Sequence, residues 1–568
     1  MNRHLEDMSI ITWPRKRELL AVFALLTVFV VIRLPGLSLP YHQDEWKTGE
    51  IVRSHIVGGL AAHPPLTERI YRWSGDLIGA DNLRLVPLVF GAISAALLYL
   101  VVRRRAGIHS AIAAIALYAV CMYGVFASLM IDTDGAILST LFLASVYAYD
   151  RFRSATSSRE SYMWLAGLAL ALILGLLTKL SAVLILGALA VDYLIEMRHR
   201  LTRRLLMRSF LGAIGCVAVA FLAILSAHFF IPAFDVSKMV AHVLYYVRFE
   251  GRGYLQILIQ SVKALFYLSP LLLAPLVLIT KETLRKNRIF AVYLGLGAFF
   301  YFVLFDFSQG ALDKYLMYSI VPLCAIVGTI LAGALRGVTV RSGLVGLALG
   351  LISAAILFQL NFLSPQVMPL YPKTEWISAV RHGNWNILMP FTGGDGPIGM
   401  YVSFLVIAVG FGISAALAIL ARLVPRLRGG LLVALIVIGV AFNGIFIEEF
   451  MFGRINGSAP TVLRESLAYI AGADVKEVIT HADTGAYELK GTGKYAGRFY
   501  AVPGYEEGHR ALFSKHTGHY LVVNVPLLNE GSFYSKFFAT CTVTFATSSG
   551  VISAHVYYCP TSDPYAIK

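Results

Sequence analysis

The chain has 568 residues, is 57% hydrophobic and only 14% charged, a balance that excludes an ordinary soluble globular protein. Its formal net charge of +15 would suit a nucleic-acid partner only if Lys and Arg formed one contiguous surface. They are instead parcelled between long apolar runs, so the charge reports topology and no nucleic acid is expected.

A hydrocarbon core about 30 Å thick needs about twenty apolar residues per helix. The first run, 18–36, follows Arg15, Lys16 and Arg17, has no small-residue cleavage site after it, and reads as a retained helix. Further spans are predicted at 84–102, 109–128, 135–150, 163–178, 180–197, 210–231, 256–280, 289–305, 315–335, 343–363, 401–421 and 430–448, about thirteen in all. Basic groups such as Arg103/Arg104/Arg105, Arg151/Arg153/Arg159, Lys281/Arg285/Lys286/Arg288, Arg336/Arg341 and Arg422/Arg426/Arg428 fall on alternate loops, which assigns that side to the cytoplasm. The segments 37–83, 232–255 and 364–400 and the tail then face outward, as expected of a multi-pass protein of a bacterial inner (plasma) membrane.

Within the first outer segment, 37–83, Ile51, Val52, Ile56, Ile70, Tyr71, Trp73 and Leu77 are spaced among polar residues, a pattern that predicts interfacial helices walling a lipid-entry groove. The division is a transmembrane unit, 1–449, and an extracytoplasmic α/β domain, 450–568, with strand-like alternation at 520–525, 541–545 and 551–558 and a helical stretch at 461–471. Of five cysteines, Cys121, Cys216 and Cys324 lie in apolar runs. Cys541 and Cys559 lie in predicted strands on the oxidising side and are expected to pair.

Charges at the ends of membrane helices are costly and usually have a task. The run Tyr41-His42-Gln43-Asp44-Glu45-Trp46 places two carboxylates just after the first span. Sugar transfer to a hydroxyl needs a general base, and one in-line displacement inverts the anomeric carbon, so a single carboxylate suffices when the leaving group is phosphate. Two solvated loop carboxylates would look the same. In His63-Pro64-Pro65-Leu66 the diproline stiffens the backbone and presents His63, to a phosphate or merely in a turn. Met130-Ile131-Asp132-Thr133-Asp134-Gly135 is a two-carboxylate break between apolar spans, either a site or a solvated hairpin.

The acidic pair, His-Pro-Pro-Leu, Arg84-Leu85-Val86-Pro87 and Ile131-Asp132-Thr133-Asp134 together resemble the protein O-mannosyltransferase and aminoarabinose (lipid A) transferase superfamily. The similarity continues through Leu177-Thr178-Lys179 and Asp313-Lys314-Tyr315 with Pro322, over roughly 15–335. It implies a GT-C fold, a mainly α polytopic bundle. It also implies a glycosyltransferase that takes sugar from a polyprenyl-phosphate donor and gives it to an extracytoplasmic lipid, glycan or protein. On that resemblance Asp44 is the catalytic carboxylate with Glu45 beside it, Asp134 is a second acid bordering the pocket, and His63, Arg84, Lys179, Lys314 and Tyr315 lie near the carrier phosphate.

A departing phosphate needs fixed cations or donors near the membrane surface, and His63, Arg69, Arg72, Lys314 and Tyr315 are on outward segments. Arg69 and Arg72 would serve equally as rim charges, and Arg84 and Lys179 as snorkelling ones. Ala62-His63 stands where the aminoarabinose transferases have Glu-Lys, so no cofactor is certain and a divalent metal stays open. The competing readings are a lipid or sugar transporter or flippase and a non-catalytic GT-C-like scaffold. Transporters place ionisable residues at mid-membrane, whereas the acids here cluster at outer helix ends, which favours surface chemistry.

Overall fold

The computed structural model describes residues 15–41, 44–56, 59–60, 63–198, 202–230, 234–247, 251–306, 312–369, 374–391, 400–523, 527–560 and 564–565. His42, Gln43 and Ala62 therefore lie outside the described residues.

The predicted apolar runs are helical over most of their length, because a helix satisfies all its backbone groups internally where water is absent. Among the described residues ten helices are long and apolar enough to cross a membrane, from Arg15–Ser38 to Arg428–Met451. Three of the thirteen expected spans fall short of that measure. Ile108–Val120 and Arg288–Leu304 are shorter apolar helices, and Ala136–Arg153 is an 18-residue helix with Arg151 and Arg153 in its last turn. The run at 109–128 is interrupted because Cys121 takes an extended conformation (φ −66°, ψ 123°) between Ile108–Val120 and Met122–Ala127.

Five helices open the chain and position its first outer segment. α1 (Arg15–Arg33) leads to α2 (Asp44–Arg53) and α3 (Leu66–Ile78), the two short helices of the first outer segment. α4 (Leu85–Ala106) and α5 (Ile108–Val120) follow. At the centre of the bundle the helix Ile320–Ala334 is buried over most of its length. It packs on α5 so closely that a Cβ on Gly328 would lie 2.7 Å from the Ala114 nitrogen, the small-residue contact typical of membrane helix pairs.

A two-stranded antiparallel sheet, β1 (Leu388–Phe391) and β2 (Met400–Ser403), precedes the helix Phe404–Leu423, so the span expected from 401 starts three residues later. The tail holds β3 (Val478–His481), β4 (Tyr495–Phe499), β5 (Gly518–Val523), β6 (Thr542–Ser549) and β7 (Ile552–Cys559) in the order β4-β3-β5-β7-β6. β3 runs parallel to β4 and β5, while β5/β7 and β6/β7 are antiparallel. Phe513, Tyr520, Phe537 and Phe538 form part of its core, and Cys541 is bonded to Cys559 with Cα atoms 4.7 Å apart. The tail seats on α2. The Arg53 guanidinium lies 4.0 Å from the Tyr487 ring centroid and donates to the Tyr487 carbonyl (2.9 Å), and the Tyr487 hydroxyl donates to Asp81 (2.7 Å).

Candidate active site

Successive helical residues project about 100° apart, so the adjacent acids at the start of α2 part company. Glu45 turns inward. Its carboxylate accepts both terminal nitrogens of Arg84 (2.9 and 2.7 Å) and the Ile131 amide (2.9 Å). Arg84 spends its remaining N–H groups on the carbonyls of Leu39, Pro40 and Leu129, so all five guanidinium donors are used. The two side chains are 2% and 3% exposed. The expectation that Glu45 is catalytic and Arg84 binds phosphate is therefore corrected: each consumes the other, and the pair pins the end of α1, the start of α4 and the 129–131 turn together.

Asp44 turns outward, with 54% of its side chain exposed. It accepts from Lys314 Nζ and Lys47 Nζ, both at 2.7 Å. Lys314, from the short helix Leu312–Tyr315, also lies 3.4 Å from Asp132 Oδ2. Asp132 and Asp134 flank Thr133 in the break before Ala136–Arg153, and Asp134 is ion-paired with Lys179. The ring of Tyr315 sits between the two ammonium groups, 4.7 Å from Lys179 Nζ and 5.2 Å from Lys314 Nζ. The cluster thus alternates in sign: Asp44, Lys314, Asp132, then Lys179 and Asp134.

Beside it lies a cavity of about 230 Å³. His63, Lys179, His242, Tyr246 and Tyr315 supply its polar lining, and Val183, Val243, Phe300 and Phe305 its apolar part. The His63 and His242 rings meet edge to face at 5.3 Å. Asp44 and Asp134 are not on the cavity wall, so the expected convergence of Asp44, Asp134 and His63 on one pocket is indirect and runs through the lysines. Arg69, on α3, makes no side-chain ion pair or hydrogen bond among the described residues, and Arg72 donates to the Ile56 carbonyl (2.9 Å). Neither joins the cluster.

Electrostatics follow from the pairing. Lys314 holds the Asp44 carboxyl well below the usual carboxylate range. Burial disfavours charge on Asp132, but Lys314 and Lys179 outweigh it and the group is lowered. At Asp134 burial wins over Lys179 and the carboxyl is raised. Burial, reinforced by Lys179, pushes His63 down to about 4, so it is neutral at physiological pH. Asp134 Oδ1 is buried and accepts no hydrogen bond among the described residues, while Asp132 Oδ2 has the Lys314 ammonium only at 3.4 Å. Orphaned acceptors of this kind call for an explanation, such as donors brought by a ligand. No set of three or more His, Cys, Asp or Glu side chains able to hold a metal ion occurs among the described residues. Each acid of the cluster already faces an ammonium, so the residues present do not fit a divalent metal.

His242 was not singled out by sequence, and Asp132 was quoted only as part of its motif, whereas Tyr246 belongs to the outer loop with Tyr245 that the sequence offered as a cover over the carrier. Asp132 was visible in the same motif as Asp134, and His242 and Tyr246 share one face of the helix Val236–Tyr246 at a spacing of four.

Residues 62–229 match the family model described as dolichyl-phosphate-mannose-protein mannosyltransferase. That stretch contains His63, Arg84, Asp132, Asp134 and Lys179, while Asp44 and Lys314 fall outside it. Among solved structures, ArnT from Cupriavidus metallidurans bound to undecaprenyl phosphate superposes with a TM-score of 0.56 at 15% identity, covering 96% of this chain and 98% of that one. The chain has a GT-C fold. The apo state of the same ArnT gives a TM-score of 0.54 at 16% identity, covering 95% of this chain and 98% of that one. No curated protein matches the sequence significantly. Within this GT-C fold the charged cluster assembles where the segment after α1, the break before Ala136–Arg153 and the helix Leu312–Tyr315 meet.

Proposed function

We propose that the chain is a membrane glycosyltransferase that moves a sugar from a polyprenyl-phosphate donor to a hydroxyl of an extracytoplasmic lipid, glycan or protein, with inversion. The observation that carries this reading is the placement of Asp44: a solvent-reachable carboxylate 2.7 Å from Lys314, next to an apolar cavity whose polar lining is Lys179, His63 and Tyr315. Phosphate seated by Lys314, Lys179 and the N–H of neutral His63 leaves the first prenyl units against Val183, Val243, Phe300 and Phe305. ArnT, which shares the fold, was solved with undecaprenyl phosphate bound, and that likeness supports a donor of this class. The charge pattern supports an outward-facing site, and the position of the cluster at helix ends argues against a transport path.

In the step itself, the Asp44 carboxylate takes the acceptor hydroxyl proton while that oxygen bonds the anomeric carbon. The bond from that carbon to the phosphate oxygen breaks on the opposite face, and its electron pair leaves with the polyprenyl phosphate. Free of ligand, Asp44 is a weak base because Lys314 and Lys47 hold its charge. A bound phosphate competes for Lys314, and the basicity of Asp44 recovers when the acceptor needs it. Sugar hydroxyls supply donors to Asp132 Oδ2 and Asp134 Oδ1, while Glu45 and Arg84 hold the segments in register without touching substrate. No step runs through a metal.

The test has two stages. Mass spectrometry of envelope lipids and glycans from a deletion strain identifies the missing product, and purified protein is then assayed for its synthesis. Asp44→Asn is expected to lower turnover about a hundredfold or more while leaving carrier-lipid binding intact. Turnover close to wild type would overturn the assignment.

A further inference from the structure

α4 starts beside Arg84 at the charged cluster and ends at Ala106, which lines a second cavity of about 590 Å³. Its 22 residues rise about 33 Å at 1.5 Å each, close to the thickness of a hydrocarbon core. The second cavity therefore lies one bilayer thickness from Asp44, at the basic end of the bundle. Part of its wall is apolar, formed by Leu278, Ile330 and Ala334. Hydroxyls of Ser110, Thr280, Thr283 and Thr329 face the same space, as do Lys286, Arg336, Arg422 and Arg428.

A general excess of Lys and Arg at this end is what membrane topology requires, but topology does not decide which of them are neutralised. Several other cations at this end are paired across helices: Arg103 with Glu18 (2.7 Å), Arg105 with Asp150 (2.6 Å), Arg153 with Glu196, and Arg288 with Asp192 (2.7 Å). Among the described residues the only carboxylate lining the cavity is Glu282, which is ion-paired with Lys286 (2.6 Å) and within electrostatic reach of Arg336. Arg422 and Arg428 donate only to the backbone carbonyls of Val277 and Ala421, and Arg336 has no ion pair or hydrogen bond among the described residues. Three guanidinium groups that make no ion pair among the described residues therefore converge on a cavity with an apolar wall and, in the Thr280–Thr283 pair, one hydroxyl proton not already donated.

We propose that this cavity binds the phosphate head group of an anionic membrane phospholipid. The arginines hold the phosphate oxygens, helped by the one uncommitted hydroxyl of the Thr280–Thr283 pair, and the acyl chains lie along Leu278, Ile330 and Ala334. Guanidinium suits this task because its planar donors match phosphate oxygens in pairs, and the apolar wall distinguishes a lipid phosphate from a free one.

The full chain, reconstituted in phosphatidylcholine bilayers containing a minor share of phosphatidylglycerol, is extracted, and retained phosphatidylglycerol is counted by native mass spectrometry. Arg336 makes no ion pair or hydrogen bond among the described residues, so its loss removes no structural bond. Arg336→Gln is expected to weaken retention about fivefold, about 1 kcal/mol, and Arg336→Glu more. Arg341→Gln removes the same charge from an exposed position outside the cavity and should change retention little. Unchanged retention in Arg336→Glu, or an equal loss in Arg341→Gln, would overturn the proposal. Displacement of the lipid by millimolar inorganic phosphate would also overturn it, marking a site for small soluble anions.

Discussion

Asp44 and Glu45 are neighbours in the chain and both bind a cation, yet the two ion pairs are different objects. Glu45–Arg84 is closed: both partners are buried, every guanidinium donor is used, and three chain segments are tied to it. Asp44–Lys314 is open: the carboxylate is half exposed, the ammonium is shared with Asp132, and the buried Asp134 Oδ1 nearby lacks a donor among the described residues. A saturated pair can only hold structure, because any ligand would have to break bonds already made. An unsaturated array can exchange partners, and exchange of partners is what binding and proton transfer require.

The contrast is broken most forcefully at Arg84. Arg84→Ala leaves the Glu45 charge buried without a partner, and about 3–5 kcal/mol of stability should be lost, read as a lower midpoint in thermal unfolding of the detergent-solubilised protein. Arg84→Lys should restore only part of it, since one ammonium cannot make five donor contacts. Asp44→Asn, in the same assay, should leave the unfolding midpoint nearly unchanged while turnover collapses. A large loss of stability in Asp44→Asn would mean that both pairs are structural.

A smaller effect is expected at Lys314. Lys314→Gln should cost about tenfold in turnover, the scale of one charge-assisted hydrogen bond, and should also move the pH profile. In the wild type Lys314 holds Asp44 well below the ordinary carboxylate range, so the base stays ionised into strong acid. Without Lys314 the Asp44 pKa rises back towards about 4, and the acid limb of log(kcat/KM) shifts to higher pH. An acid limb that stays in place would show that Lys314 does not control the base.

The smallest effect concerns His63, held neutral by burial with its pKa lowered to about 4. The unfolded chain binds this proton below about pH 6.5 and the folded protein does not. The stability contribution is thus complete above the unfolded value and is lost as pH falls from there towards 4. His63→Gln should flatten the dependence of the unfolding midpoint on pH in that window, and an unaltered slope would place the sensitivity elsewhere.

The bundle was legible in the sequence because each helix is an apolar run of the right length, and α2 and α3 because their apolar residues recur at helical spacing, although Ile51, Val52 and Tyr71 pack into the protein. β5, β6 and β7 were visible through alternation. β3 and β4 were not: they have four and five residues, and β3 is buried on both faces as an interior parallel strand, which leaves no alternation to read. The site was legible as a set of motifs but not as a division of labour. Glu45 cancels Arg84 across 39 positions and Lys314 reaches Asp44 across 270, and sequence spacing carries no trace of such contacts. Which of Asp132 and Asp134 meets Lys314 and which meets Lys179 is likewise visible only in the fold.

α2 has Asp44 at one end and Arg53 at the other, and Arg53 is clamped to Tyr487 of the tail. Ten residues of helix make a stiff strut about 15 Å long, so the position of the proposed base and the seating of the tail are mechanically one variable. Thermodynamic reciprocity then applies: whatever a ligand beside Asp44 adds to the tail's grip, the tail adds to the ligand's affinity. The soluble end of a membrane protein thereby becomes a gauge of its buried end, and slowed amide exchange around Tyr487 would register occupancy of the Asp44 site with no product being made.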